Sequence, residues 1–146
     1  SALGLNGRLM EPGWSKDLVQ VYDRRAIKAP KFRIKEWDYY LVLSDQFACA
    51  FTLSDDGYIG LQSVSLLDFT KPWEHTETIL NAFPMGKMKM PSTSAKGNVV
   101  YRDKRLAMEF IKTDGQRVSA VTSKTSATAS PSPAILRWSS RRWIPW

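Results

Sequence analysis

Between Glu36 and Ser44 almost every position is a strand former, with Trp37, Tyr39, Tyr40, Leu41, Val42 and Leu43 crowding around a single acid, Asp38. Aromatic and branched side chains fit the pleated, half-buried backbone of a strand, so this segment predicts one. Ser44-Asp45 is turn-like, and Gln46–Leu53 reads as a second apolar strand. Ser54-Asp55-Asp56-Gly57 is a strong turn: Asp bonds its own backbone and Gly supplies a positive φ. Tyr58–Phe69 follows as a long third strand with Leu61, Val64 and Leu66 among its apolar positions, and Pro72 breaks it. Glu74–Leu80 mixes polar and apolar residues and predicts a fourth, more exposed strand. Val99–Tyr101 and Leu106–Ile111 predict a hairpin around Asp103-Lys104, closed at its far end by Thr113-Asp114-Gly115. No segment keeps a helical 3.6-residue period. The expectation is an all-β fold, an antiparallel meander curled as a barrel or a sandwich half.

The flanks differ. Residues 1–35 are irregular and basic, punctuated by Gly4, Gly7, Pro12, Gly13 and Pro30, and predict an arm or long loop. Ser1 is no initiator, so the expected true start lies upstream or has been processed away. The loop Asn81–Gly97 holds three methionines, three lysines, two prolines and two glycines. The antiparallel β domain is expected to span residues 36–118.

From Val118 the pattern stops. Ser, Thr, Ala and Pro dominate Ser119–Ala134, and Arg137-Trp138-Ser139-Ser140-Arg141-Arg142-Trp143-Ile144-Pro145-Trp146 ends the chain. One functional reading is a cationic, Trp-rich tail for a membrane surface, and another is an RNA-binding tail. The alternative is that residues 119–146 are encoded out of frame or are disordered. The genetic code tests this by joining the last base of each codon to the first two of the next. Trp143-Ile144 must then encode Asp, Lys124-Thr125 Asn or Asp, and Trp138-Ser139 Val or Glu. With permitted wobble bases the frame from Ala120 onward reads CRDFEDFGNGKPFSGNIEVVKPAMDSM. That peptide restores acids, a Gly-Asn-Gly turn and an alternating strand, and agrees better with a β-rich core than the written tail does.

Charge sharpens the division. The formal net charge is +7, but all 14 acids lie at or before Asp114, and the last 32 residues carry five basic residues and no acid. The first 114 residues set 16 basic against 14 acidic side chains, which is no nucleic-acid footprint. The 146 residues are 43% hydrophobic and 24% charged, a globular composition for one ordinary domain. No apolar run approaches the roughly 20 residues of a membrane helix. The single cysteine, Cys49, excludes an internal disulfide and a thiolate metal cluster, so a cytoplasmic location is expected. Phosphate loops, dinucleotide fingerprints and metal-ligand spacings are absent, and neither a cofactor nor a metal is expected.

Candidate chemistry is sparse. His75, the only histidine, sits in the polar segment Trp73–Glu77, which favours a surface or hydrogen-bonded role over a ligand or base. Asp38 lies inside an aromatic strand and Asp68 stands before Phe69; paired acids of this kind can do general acid/base work. Structural roles compete: Asp38 bound to Arg or Lys of the arm, Asp55 and Asp56 shaping a turn, Asp68 ending a strand. Trp37, Tyr39, Tyr40 and Tyr58 are candidates to line an apolar pocket, or else to fill the core. Cys49, between Phe47 and Phe51, reads as a small buried hydrophobe.

Gly7-Arg8-Leu9 with Pro12-Gly13-Trp14-Ser15, then Lys35 to Tyr40, TLSDDGYIG from Thr52, SVSLLDF from Ser63 and the Gly/Met/Pro loop after Phe83 resemble the family catalogued as domain of unknown function 2804. The resemblance spans about residues 4–118 and names no activity. It implies an N-terminal half that packs on a missing C-terminal half, since members are about twice this length. The family's strand pattern is similar to tandem lipocalin-like (calycin-type) proteins, among them carotenoid hydratases. It implies a β-barrel module for a small apolar or lipid-like ligand, or a hydratase or isomerase using Asp38 or Asp68 beside an aromatic wall. A nucleic-acid partner is not expected, nor a membrane unless the Trp/Arg tail is genuine.

Overall fold

Aspartate and glycine at the turns, with aromatic and β-branched residues between them, produce antiparallel hairpins almost where the pattern places them. The computed structural model describes residues 3–4, 6–14, 16, 20–93, 95–113, 116–123 and 134–138 of the 146. Its strands are β1 (Glu36–Leu43), β2 (Phe47–Asp55), β3 (Ile59–Asp68), β4 (Trp73–Ala82), β5 (Val99–Arg102), β6 (Leu106–Thr113), β7 (Gln116–Ser123) and β8 (Ala134–Trp138). Among the described residues there is no α-helix, only two three-residue 3-10 turns, Arg24–Ala26 and Lys31–Arg33. Among the described residues no helix is therefore long and apolar enough to cross a membrane.

The chain divides into two compact units, residues 30–90 and residues 1–29 with 91–146. In the first, β1-β2-β3-β4 forms a four-stranded antiparallel meander. Cross-strand partners share a face, so the register lays out rows: Tyr40, Phe51 and Val64; Asp38, Leu53, Gln62 and Ile79; Glu36, Asp55, Gly60 and Asn81. This face carries the unit's core, with Tyr40, Cys49, Phe51, Leu53 and Ile79 buried. Withdrawing Phe51 and Leu53 from water contributes roughly 2 kcal/mol each. The opposite face presents Trp37, Tyr39, Leu43 and Leu80 to solvent.

The second unit holds the sheet β5-β6-β7-β8, also antiparallel and in chain order. Leu106, Met108 and Phe110 alternate inward along β6, and Phe110 opposes the buried Val99 of β5. Asp103 shapes the β5–β6 turn, Arg102 pairs with Glu109, and the Asn98 side chain accepts the Lys112 N–H at 2.9 Å. At its N-terminal end a bridge joins Leu3 to Leu9.

The all-β expectation holds, with two changes. Each sheet is open rather than closed into a barrel, because β1 does not pair with β4, nor β5 with β8, to remove the edges. Backbone pairing also carries two further strands, β7 against β6 and β8 against β7, into the segment whose composition departs from strand grammar. The turn residues Asp114 and Gly115 and the tail residues 124–133 and 139–146 lie outside the described residues.

Candidate functional site

The period of two along β1 separates the aromatic candidates. Trp37 and Tyr39 stand on one face and are 65% and 52% exposed; Tyr40 points to the other and is buried. Tyr58, half exposed, sits in the β2–β3 turn at the same end of the sheet as Trp37, and Lys35 Nζ stands 5.8 Å from its ring centroid. Trp37, Tyr39 and Tyr58 are thus open to a partner, whereas Tyr40 fills the core.

The acid and histidine candidates are spread along the core face. Asp38, half-buried, accepts a hydrogen bond from the Tyr40 hydroxyl at 3.3 Å. Asp68 caps the β3–β4 turn: Oδ1 accepts from the Thr70 hydroxyl at 2.6 Å, the Thr70 N–H at 2.8 Å and the Lys71 N–H at 3.3 Å. The Thr70 hydroxyl, with the two amides, holds its carboxyl below the usual carboxylate range. His75 is exposed on β4, its ring stacked on Trp73 at 6.2 Å and its Nε2 3.4 Å from a Glu77 oxygen. The register sets Asp68 opposite Trp73 and His75 opposite Leu66, so neither reaches Asp38, which lies in the row of Leu53 and Ile79. Cys49 is buried, and burial pushes its thiol up to about 11, an unreactive state at neutral pH. Among the described residues no three His, Cys, Asp or Glu side chains converge as metal ligands.

A second polar group is not evident from the sequence as a group. At the end of β2 the Asp55 carboxylate is fully buried; one oxygen accepts the Gly57 N–H at 3.1 Å, the other the Gly86 N–H at 2.7 Å. Beside it Gln62, also buried, donates to the Ser54 carbonyl at 3.3 Å and to the Met88 thioether at 3.4 Å, and accepts from Asn81. Buried Glu36 completes the row, as the cross-strand partner of Asp55. These groups tie the loop after β4 to the sheet. Left-handed backbone at Phe83 (φ 51°), Met85 (φ 55°) and Lys89 (φ 50°) marks that loop as strained, each residue by about 1 kcal/mol or more. Two Asp and one Gly at Asp55–Gly57 signalled the turn; the 31-residue reach from Asp55 to Gly86 has no local signature.

Comparison with known proteins agrees with this organisation as far as family and no further. A search of curated proteins and of solved structures finds no match. The profile of one family, described as Domain of unknown function (DUF2804), matches residues 2–133, taking in β1 to β7 and stopping short of β8. With nearly the whole chain matched, the protein belongs to the DUF2804 family.

Proposed function

We propose that this protein is a binding module for a small apolar or lipid-like ligand, built on a lipocalin-like plan. The observation that carries the reading is the half-or-more exposure of Trp37, Tyr39 and Tyr58, three large rings clustered toward one end of one sheet. Leaving such area in water forfeits roughly 25 cal/mol for each Å² of apolar surface, and contiguous exposed patches mark binding surfaces. Up-and-down order within each four-stranded meander supports the lipocalin-like plan, since such barrels are built from antiparallel strands in chain order. A carboxylate-headed apolar molecule suits the site, because Lys35 stands over Tyr58 where the head would lie.

The Tyr40 hydroxyl bound to Asp38 favours a second reading. A carboxylate so placed beside a tyrosine hydroxyl is the acid/base group a hydratase or isomerase requires. One titration separates the two. Binding of cis-parinaric acid, followed by its fluorescence, is expected to weaken about tenfold in Trp37→Ala and to be unchanged in a folded Asp38→Asn. Binding unaffected by Trp37→Ala overturns the first reading. Turnover of a bound polyene lost in Asp38→Asn would establish the second.

A further inference from the structure

Three segments far apart in sequence meet at Gly57-Tyr58. The carbonyl oxygens of Phe32 and Lys31 lie 2.5 and 2.8 Å from where a Gly57 Cβ would stand. The Phe83 N–H donates to the Tyr58 carbonyl at 2.9 Å, and the Met85 N–H to the Gly57 carbonyl at 3.1 Å. Lys35 reaches back over the Tyr58 ring.

What these segments show to solvent is of two kinds. Phe32, Trp37, Tyr58 and Phe83 are rings between 49% and 65% exposed. Lys31, Arg33, Lys35, Lys87 and Lys89 are exposed cations, and the one other basic residue of the unit, Lys71, lies at the opposite end of the sheet. Carboxylates at this end are withdrawn: Glu36 and Asp55 are buried and Asp56 is half-buried. The loop bearing Phe83, Lys87 and Lys89 is held in its left-handed conformation by the Asp55–Gly86 bond.

Rings that seat at the headgroup level, ringed by cations, are complementary to an anionic lipid surface. A nucleic acid fits less well, because residues 30–90 carry eight acids against six basic residues and repel a long polyanion beyond the patch.

We propose that this end of the β1–β4 sheet docks on the surface of an anionic phospholipid bilayer. The proposal builds on the ligand-binding reading, because Trp37 and Tyr58 belong to both, and it makes the bilayer the source of the lipid-like ligand.

Sedimentation of the full chain with vesicles tests it, using phosphatidylcholine alone or with about a third phosphatidylglycerol, at about 0.1 M salt. Binding is expected only with phosphatidylglycerol. Lys35→Glu combined with Lys87→Glu should weaken it more than about 20-fold, at about fivefold for each cation removed, and Phe83→Ser should weaken it several-fold. Circular dichroism establishes that each variant stays folded. Binding that is absent, or unchanged in the double variant, overturns the proposal. Loss on Arg141→Glu with Arg142→Glu instead would assign vesicle binding to the C-terminal segment, and binding of poly(U) without vesicles would assign the patch to RNA; either outcome overturns it. Parinaric acid binding measured in parallel distinguishes the two failures: retained binding without vesicle sedimentation leaves the ligand reading standing and the docking surface refuted.

Discussion

Asp55 and Asp103 both stand at hairpin turns, yet they hold the fold in different ways. Every partner of Asp103 lies within three residues: its oxygens accept the N–H groups of Arg105 and Leu106 at 2.6 and 3.0 Å, the Arg105 guanidinium at 2.7 Å and the Tyr101 hydroxyl at 3.1 Å. Asp55 has one local partner, Gly57, and one 31 residues away, Gly86, and no part of it meets solvent. The first aspartate fastens a turn that its own sequence already favours. The second fastens a strained loop to a sheet, and through that loop sets where Phe83, Lys87 and Lys89 stand. Local turn chemistry is worth little to distant residues; a buried carboxylate that satisfies remote amides is worth more, because its loss strands donors that water cannot reach.

That difference predicts unequal consequences. Asp55→Ala leaves the Gly57 and Gly86 N–H groups without their acceptor, and should lower stability by about 3 kcal/mol in urea unfolding. Hydrogen exchange at Met85 and Gly86 should accelerate in the same variant. A loss no larger than that of Asp103→Ala would break the comparison. Gly57→Ala comes next, at about 2 kcal/mol, since its φ of 79° disfavours a Cβ and the Phe32 backbone stands 2.5 Å from where that atom would go. If the three segments are one assembly, this change should also perturb the NMR shifts of Lys31–Arg33, and silence there would count against it.

Asp103→Ala should cost about 1 kcal/mol and leave the 83–89 loop unaffected. Burial raises the carboxyl of Asp103, but the Arg105 side chain and N–H, the Leu106 N–H and the Tyr101 hydroxyl outweigh it and hold the group well below its ordinary value of 3.8. A depressed carboxylate stabilises the fold above its unfolded value, so the contribution should be complete at neutral pH. It should fade as acid carries the pH below about 4 and toward the folded value. Comparing unfolding of the wild type and Asp103→Asn at neutral and acid pH measures this, and a wild-type advantage that grows in acid would reverse the sign.

Much of the fold is legible in single residues. The density of aromatic and branched side chains in Glu36–Leu43, the Asp-Asp-Gly at the β2–β3 turn and Pro72 after β3 each act over a few positions, so the observed strands fall within two residues of the expected bounds through β6. The strands β7 and β8 are not legible, because their ladders are set by partners in register, β6 for β7 and β7 for β8, rather than by strong propensity in Ser119–Ala134. The aromatic site was half legible. Alternation on β1 already parts Trp37 and Tyr39 from Tyr40, but it does not say which face the core takes.

Sequence alone determined the class of this protein and its turns, because strand propensity, glycine at positive φ and short aspartate bonds are local physics, and the match of residues 2–133 to one family model gave its family. Tertiary structure decided which face of β1 is buried, that Asp55 reaches the loop after β4, and that Lys31–Lys35, Tyr58 and Phe83 converge at one end of a sheet. Those outcomes depend on register and burial, which no window of a few residues contains.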